Sequence, residues 1–228
     1  MTDRVRSRVA AILDKDNTGH GMAHVDRVLR LSLKFAEAEG ADKEAVALIA
    51  LLHDVDDYKL FGFENAAQMT NARAIMEAEN ISEEKQKLVL EALGAIGYSK
   101  SLDGIRPASI EGMIVSDADM CDAVGANGII RTYTYSLSHG KPFFDKDKFP
   151  LLDMSREEYT THNSDSSVDH FFEKILKLKN MMLTPSGKRE ALARHELMIS
   201  FLRQLFDEED APQWQEYLED YLKTINQG

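Results

Sequence analysis

The chain has 228 residues, enough to bury a sizeable core. With 27 basic against 39 acidic side chains its formal net charge is −12, a balance that repels phosphate backbones and argues against long DNA or RNA as a partner. No stretch reaches the ~18 uncharged apolar residues of a membrane span, and the N-terminal MTDRVRSRVAAILDKD has no apolar signal core. The expectation is a soluble, cytoplasmic protein without membrane contact, and its single cysteine, Cys121, rules out an intrachain disulfide or a thiolate metal cluster.

The sequence reads as helix after helix. Val5, Val9 and Ile12 give a short amphipathic opening that stops near Asn17-Thr18-Gly19. A second helix is predicted from about Met22 to Glu39, with His24, Val28, Leu31 and Phe35 on one face and Gly40 as its stop. Asp42 suits an N-cap, and Ala45 to Leu52 follows without a polar side chain. A helix apolar all round belongs in the domain centre. Further helices are predicted at Glu64–Glu79, from a Ser82 cap to about Ile96, and from Ile110 to about Val124 with a restart after Gly125. Residues 138–155 hold Gly140, Pro142 and Pro150 among aromatics and charges, the composition of a long loop or lid. Ser166–Met182, Ser186–Phe206 and Pro212–Ile225 complete the set. One all-α domain over 1–228 is expected, with a core at about 19–136 and a C-terminal helical layer at about 166–226.

His53-Asp54 closes the apolar run AVALIALL. Burying such a pair costs on the order of several kcal/mol unless it is compensated. A metal ion compensates both groups, since imidazole and carboxylate are its natural ligands; a hydrogen-bonded structural pair is the alternative. His24 lies on the core-facing stripe of its helix, where a satisfied core histidine is the plain reading, and His20 precedes it by four residues. Asp117, Asp119 and Asp122 follow the apolar Met113-Ile114-Val115. Carboxylates this dense repel one another unless a cation is near, although a solvated helix face would also carry them. Asp119 and Asp122 share a face and Asp117 does not, so at least one should point away from solvent.

The order His24 … His53-Asp54 … Asp119 on successive helices resembles the H…HD…D signature of the HD-domain metal-dependent phosphohydrolases. The segments GHGMAHVDRV, LLHDVDDYK, VSDADMCDAVGANGIIRTY and DHFFEKILKLKNMMLTPSGKREALARHELM resemble one bacterial branch of that superfamily. Some similar proteins hydrolyse nucleoside triphosphates to monophosphate and pyrophosphate. The resemblance runs from about Gly19 to Phe206 and implies an all-α HD-domain helical bundle. It also implies His24, His53, Asp54 and Asp119 as the ligand set, with Asp119 rather than Asp117 matching the last ligand. Two-metal members add histidines between the doublet and the final aspartate; none stands between His53 and Asp119 here, so one divalent ion is expected. Two imidazoles and two carboxylates suit Mn, Fe, Co, Ni or Zn better than Mg alone.

Asp57, four residues after His53, is expected to share the helix face of the doublet and to orient or deprotonate the attacking water. His20 is a candidate general acid or phosphate donor. His170, Lys174 and Lys177, at spacings of four and three, form a basic stripe that could clamp a phosphate, with Arg131 a further candidate. Arg27 is expected to pair with a carboxylate. Phe143, Phe144 and Phe149 could stack on a base or simply pack beneath their loop. The function the resemblance implies is hydrolysis of a small phosphate compound of the nucleotide class, with (d)NTP cleaved to (d)NMP and pyrophosphate. The alternatives are a phosphomonoesterase or 5'-nucleotidase, and, in other classes, a non-catalytic ligand-sensing module or a two-iron oxygenase. The missing additional histidines count against the oxygenase.

Overall fold

The structure is a computed structural model that describes residues 1–13, 21–152 and 164–225. Its regular elements are helices throughout, with no strand among the described residues and no helix long and apolar enough to cross a membrane. In chain order they are α1 (Thr2–Leu13), α2 (Met22–Glu39), α3 (Lys43–Leu52), α4 (Tyr58–Phe61), α5 (Phe63–Gln68), α6 (Thr70–Ala78), α7 (Glu83–Ala95), α8 (Tyr98–Leu102), α9 (Ile110–Asp122) and α10 (Ala126–Ser138). Then come α11 (Ser167–Glu173), a 3-10 helix (Ile175–Met181), α12 (Pro185–Glu208) and α13 (Pro212–Ile225). The contacts group the chain into two compact units, Met1–Asp122 with Met182–Gly187, and Ala123–Met181 with Lys188–Gly228.

The first unit is built on α3. Asp42 caps it by accepting from the backbone N–H of Glu44 and Ala45, and every side chain from Ala45 to Leu52 is buried. Helices α2 and α9 pack on it and on each other. Helix α2 has the predicted bounds and ends where Gly40 turns left-handed at φ 72°, a conformation glycine adopts without steric cost. In α1 the buried line is Val5, Val9 and Leu13, so Leu13 takes the place expected of Ile12. The expected end of that helix at 17–19 lies outside the described residues. Arg4 and Arg8 both reach Glu79, at 2.6 and 2.7 Å, and tie α1 to the end of α6.

One predicted helix, Glu64–Glu79, is in fact two. Met69 sits at φ 51°, left-handed, and separates α5 from α6. The reason is a non-local cap: the Asp56 carboxylate accepts from the backbone N–H of Asn71 and Ala72, donors of the first turn of α6. Helix α8 was not expected from the sequence. Thr184 opens α12, its hydroxyl accepting from Gly187 N–H ahead of Pro185 at the first helical position.

In the second unit the predicted helix Ser166–Met182 breaks at Lys174, whose φ of −135° and ψ of −60° end α11 before the 3-10 segment. The described part of the 138–155 loop has no regular structure beyond the end of α10. Its phenylalanines all touch other rings, although Phe149 stays half exposed. Phe143 lies against Phe171 and Phe201, Phe144 against Phe206 and Trp214, and Phe149 stacks on Trp214 with ring centroids 4.7 Å apart. The aromatic set thus closes a core around Trp214, whose indole N–H donates to Lys146 O.

His195 of α12 is buried in this unit, and its Nδ1 has no partner among the described residues. Burial, reinforced by the Lys179 charge, lowers its pKa from 6.5 to about 4. The folded pKa lies below the unfolded one, so the neutral ring stabilises the fold above the unfolded pKa and that contribution is lost as pH falls from 6.5 toward 4. The stability of wild type relative to His195→Gln is therefore expected to drop between neutral and mildly acidic pH. Urea denaturation of both proteins across that window checks this; a constant difference would contradict it.

Candidate metal centre

Four side chains on the central helices of the first unit converge. His24 stands in the first turn of α2, His53 is the C-cap of α3, Asp54 follows it in a turn, and Asp119 comes from α9. His24 Nε2 and His53 Nε2 are 3.0 Å apart. Asp54 Oδ2 lies 3.3 Å from His24 Nε2 and 3.4 Å from His53 Nε2. Asp119 Oδ1 lies 3.4 and 3.9 Å from the same two nitrogens. Atoms bound to one ion at about 2.1 Å stand roughly 3.0–3.4 Å apart at right or tetrahedral angles; His24, His53 and Asp119 form a cluster that could hold a metal ion, and Asp54 lies beside both histidines.

The hydrogen bonds behind the rings decide which nitrogens can bind. His24 Nδ1 donates to Asp122 Oδ2 at 2.7 Å, and His53 Nδ1 donates to Ala50 O at 2.8 Å. A carboxylate and a carbonyl only accept, so both protons sit on Nδ1 and both Nε2 atoms present lone pairs. Two lone pairs do not face each other at 3.0 Å in a buried site unless a positive charge lies between them. Burial would lower the His24 pKa, but its hydrogen bonds to Asp119, Asp122 and Asp54 outweigh burial and hold it well above its ordinary value. Asp119 is the counterpart: burial would raise its pKa, and the His24 and His53 contacts bring it below the usual carboxylate range.

The three aspartates of α9 divide their work. Asp119 faces the histidines. Asp117, fully buried, accepts from Leu183 N–H, Thr184 N–H and the Thr184 hydroxyl and so anchors the start of α12. Asp122, also buried, holds His24 and receives a two-pronged contact from Arg27, whose Nε and Nη2 lie 2.6 and 2.9 Å from its oxygens. Arg27 pairs with a carboxylate as expected. The role of Asp122 was not foreseen; its place on the face of Asp119 was the available signal.

Other expectations fare differently. Helix α3 ends at Leu52, so Asp57 does not share a helix face with the doublet; residues 53–56 form turns and Asp57 stands just before α4. The backbone N–H of Asp57 bonds Asp54 O at 3.2 Å, which keeps the two residues in one turn. His20 lies outside the described residues. His170, Lys174, Lys177 and Arg131 belong to the second unit and are all half-buried. His170 pairs through Nδ1 with the Ser164 hydroxyl at 3.2 Å. The break at Lys174 removes the continuous α-helical stripe, although Lys174 and Lys177 remain one 3-10 turn apart through the Lys177 N–H bond to Lys174 O.

Replacing Asp122 by Asn tests the support behind His24. The amide can turn its NH2 toward Nδ1, which removes the preference for the Nδ1–H tautomer. Metal affinity, measured by competition with a chelating dye, is expected to fall roughly tenfold or more. An unchanged affinity would contradict a supporting role for Asp122.

Comparison with known proteins agrees with the all-α fold. The HD domain family model matches residues 21–124. The Bacillus subtilis protein YpgQ is 30% identical over 215 residues, covering 93% of this chain and 94% of its own length. Its crystal structure in complex with ADP superposes with a TM-score of 0.68 at 28% identity, over 91% of this chain and 97% of that one. A Lactobacillus plantarum protein gives a TM-score of 0.79, and an HD-superfamily hydrolase from Bacillus thuringiensis gives 0.72. Each of these two is 32% identical and covers 92% of this chain and 97% of its own. Fold, residue order and relatives converge, and the chain belongs to the HD-domain superfamily of phosphohydrolases.

Proposed function

We propose that the protein is a hydrolase of a small phosphate compound of the nucleotide class, working with one divalent ion held by His24, His53, Asp54 and Asp119. The observation that carries this reading is the convergence of two imidazole lone pairs and two carboxylates on one small volume. Such an ion supplies Lewis acidity toward a phosphate oxygen and acidifies water. Two nitrogen and two carboxylate donors favour Mn, Fe, Co, Ni or Zn over Mg.

The chain's own residues then have separable tasks. The Nδ1 bonds to Asp122 and Ala50 keep the two rings in the binding tautomer and fix their planes. Asp57, turned into the chain just after the doublet, is the proposed acceptor for the proton of the attacking water, and His20 remains a proposed acid or phosphate donor. His170, Lys174, Lys177 and Arg131 are the proposed counter-charges for the phosphate groups. The nucleotide class leans on YpgQ, which was crystallised with ADP. Cleavage of a (d)NTP to (d)NMP and pyrophosphate is the specific reaction proposed, with a phosphomonoesterase as the alternative within the class.

The test is a metal assay joined to a product assay. Purified protein is expected to hold one equivalent of a divalent transition ion and, with added Mn²⁺, to hydrolyse a nucleoside triphosphate with release of pyrophosphate. Orthophosphate from monophosphates would favour the phosphomonoesterase instead. His53→Ala and Asp54→Ala are each expected to lose the ion and at least ~100-fold in kcat/KM, several kcal/mol of transition-state stabilisation. Full turnover in either variant would overturn the site. Stoichiometric metal without turnover of any phosphate compound would favour a ligand-sensing module.

A further inference from the structure

The doublet His53-Asp54 lies outside any helix. Helix α3 stops at Leu52, and beyond it Val55 N–H reaches Leu52 O at 3.4 Å and Asp57 N–H reaches Asp54 O at 3.2 Å. The two ligands must stay in place within a few tenths of an ångström to share one ion. Bonds from outside the turn help to hold it.

The side chains of Asp56 and Asn71 do so. Asp56 Oδ1 accepts from Asn65 Nδ2 at 2.5 Å and from Asn71 N–H at 2.9 Å, and Oδ2 accepts from Ala72 N–H at 2.8 Å. In return Asn71 Nδ2 donates to Val55 O at 2.7 Å, between Asp54 and Asp56. Four bonds, three of them to a charged acceptor and so among the stronger kind, pin the turn to α5 and the first turn of α6. The same brace explains the left-handed Met69 at φ 51°. A non-glycine residue in that conformation is strained. It persists because it presents the Asn71 and Ala72 N–H groups to Asp56.

We propose that Asp56 and Asn71 are positioning residues for the metal centre, acting through the turn that carries His53 and Asp54; this rests on the metal reading given above. Neither touches the ligand atoms. Their task is to fix where Asp54 and His53 stand when α3 no longer can. Asp56→Asn keeps the size but turns one acceptor oxygen into an NH2 facing a donor, and Asn71→Ala deletes the bond to Val55 O alone. Both should therefore alter the coordination of the ion and not merely lower stability.

The experiment is a Co²⁺ titration of wild type, Asp56→Asn, Asn71→Ala and Glu79→Gln, read by visible absorption and affinity, with urea denaturation of each. Glu79 also links elements of the first unit, through Arg4 and Arg8, but away from the doublet. Wild type is expected to bind one Co²⁺. Asp56→Asn and Asn71→Ala are expected to bind it roughly tenfold or more weakly, the scale seen for outer-shell partners, with shifted bands. Glu79→Gln should lose stability yet keep the wild-type spectrum and affinity. If Asp56→Asn does not fold, Asn71→Ala decides the matter. Wild-type spectra and affinities in the doublet's neighbours, with only the folding midpoint lowered, would overturn the proposal and leave the metal site intact. No Co²⁺ bound by wild type would overturn both.

Discussion

Two imidazole nitrogens held 3.0 Å apart, each with its ring proton committed elsewhere, set the constraint that the rest of the first unit serves. Such an arrangement is repulsive unless a positive charge fills it. The supporting structure is arranged accordingly. Asp54 and Asp119 supply negative charge on the binding side, Asp122 and Ala50 O lock the tautomers from behind, and Arg27 balances the charge of Asp122. The wholly apolar α3 provides the fixed platform from which His53 emerges. Helices α2 and α9 bring His24 and Asp119 to the same point.

The charge arithmetic favours a single divalent ion. Two carboxylates in contact with the nitrogens match one doubly charged cation, and Asp122 is already balanced by Arg27. A second ion would need ligands beyond these, and the sequence places no histidine between His53 and Asp119. The same reasoning separates three aspartates that look alike in SDADMCD. One faces the histidines as the proposed ligand, one holds the His24 ring, and one anchors the start of α12.

Local signals made much of this readable in the sequence. Gly40, Asp42 and Ser82 mark helix ends through interactions within a few residues, and the bounds of α2 follow from them. The apolar run into His53-Asp54 identifies the centre of the fold because nothing but burial explains it. What escaped depends on residues far apart in the chain. The split at Met69 is dictated by Asp56, more than a dozen residues earlier, and no periodicity encodes a cap that arrives from another element. The division of labour among Asp117, Asp119 and Asp122 depends on Thr184, His53 and Arg27 respectively. The break at Lys174 falls in a stretch whose apolar residues fit a continuous helix, so composition could not reveal it.

Whether these four side chains share one ion is decided by anomalous X-ray scattering from crystals of the protein prepared with Mn²⁺. One anomalous peak is expected within bonding distance of His24 Nε2, His53 Nε2 and carboxylate oxygens of Asp54 and Asp119. Two peaks in the site, or a peak that leaves out His24 or His53, would contradict it.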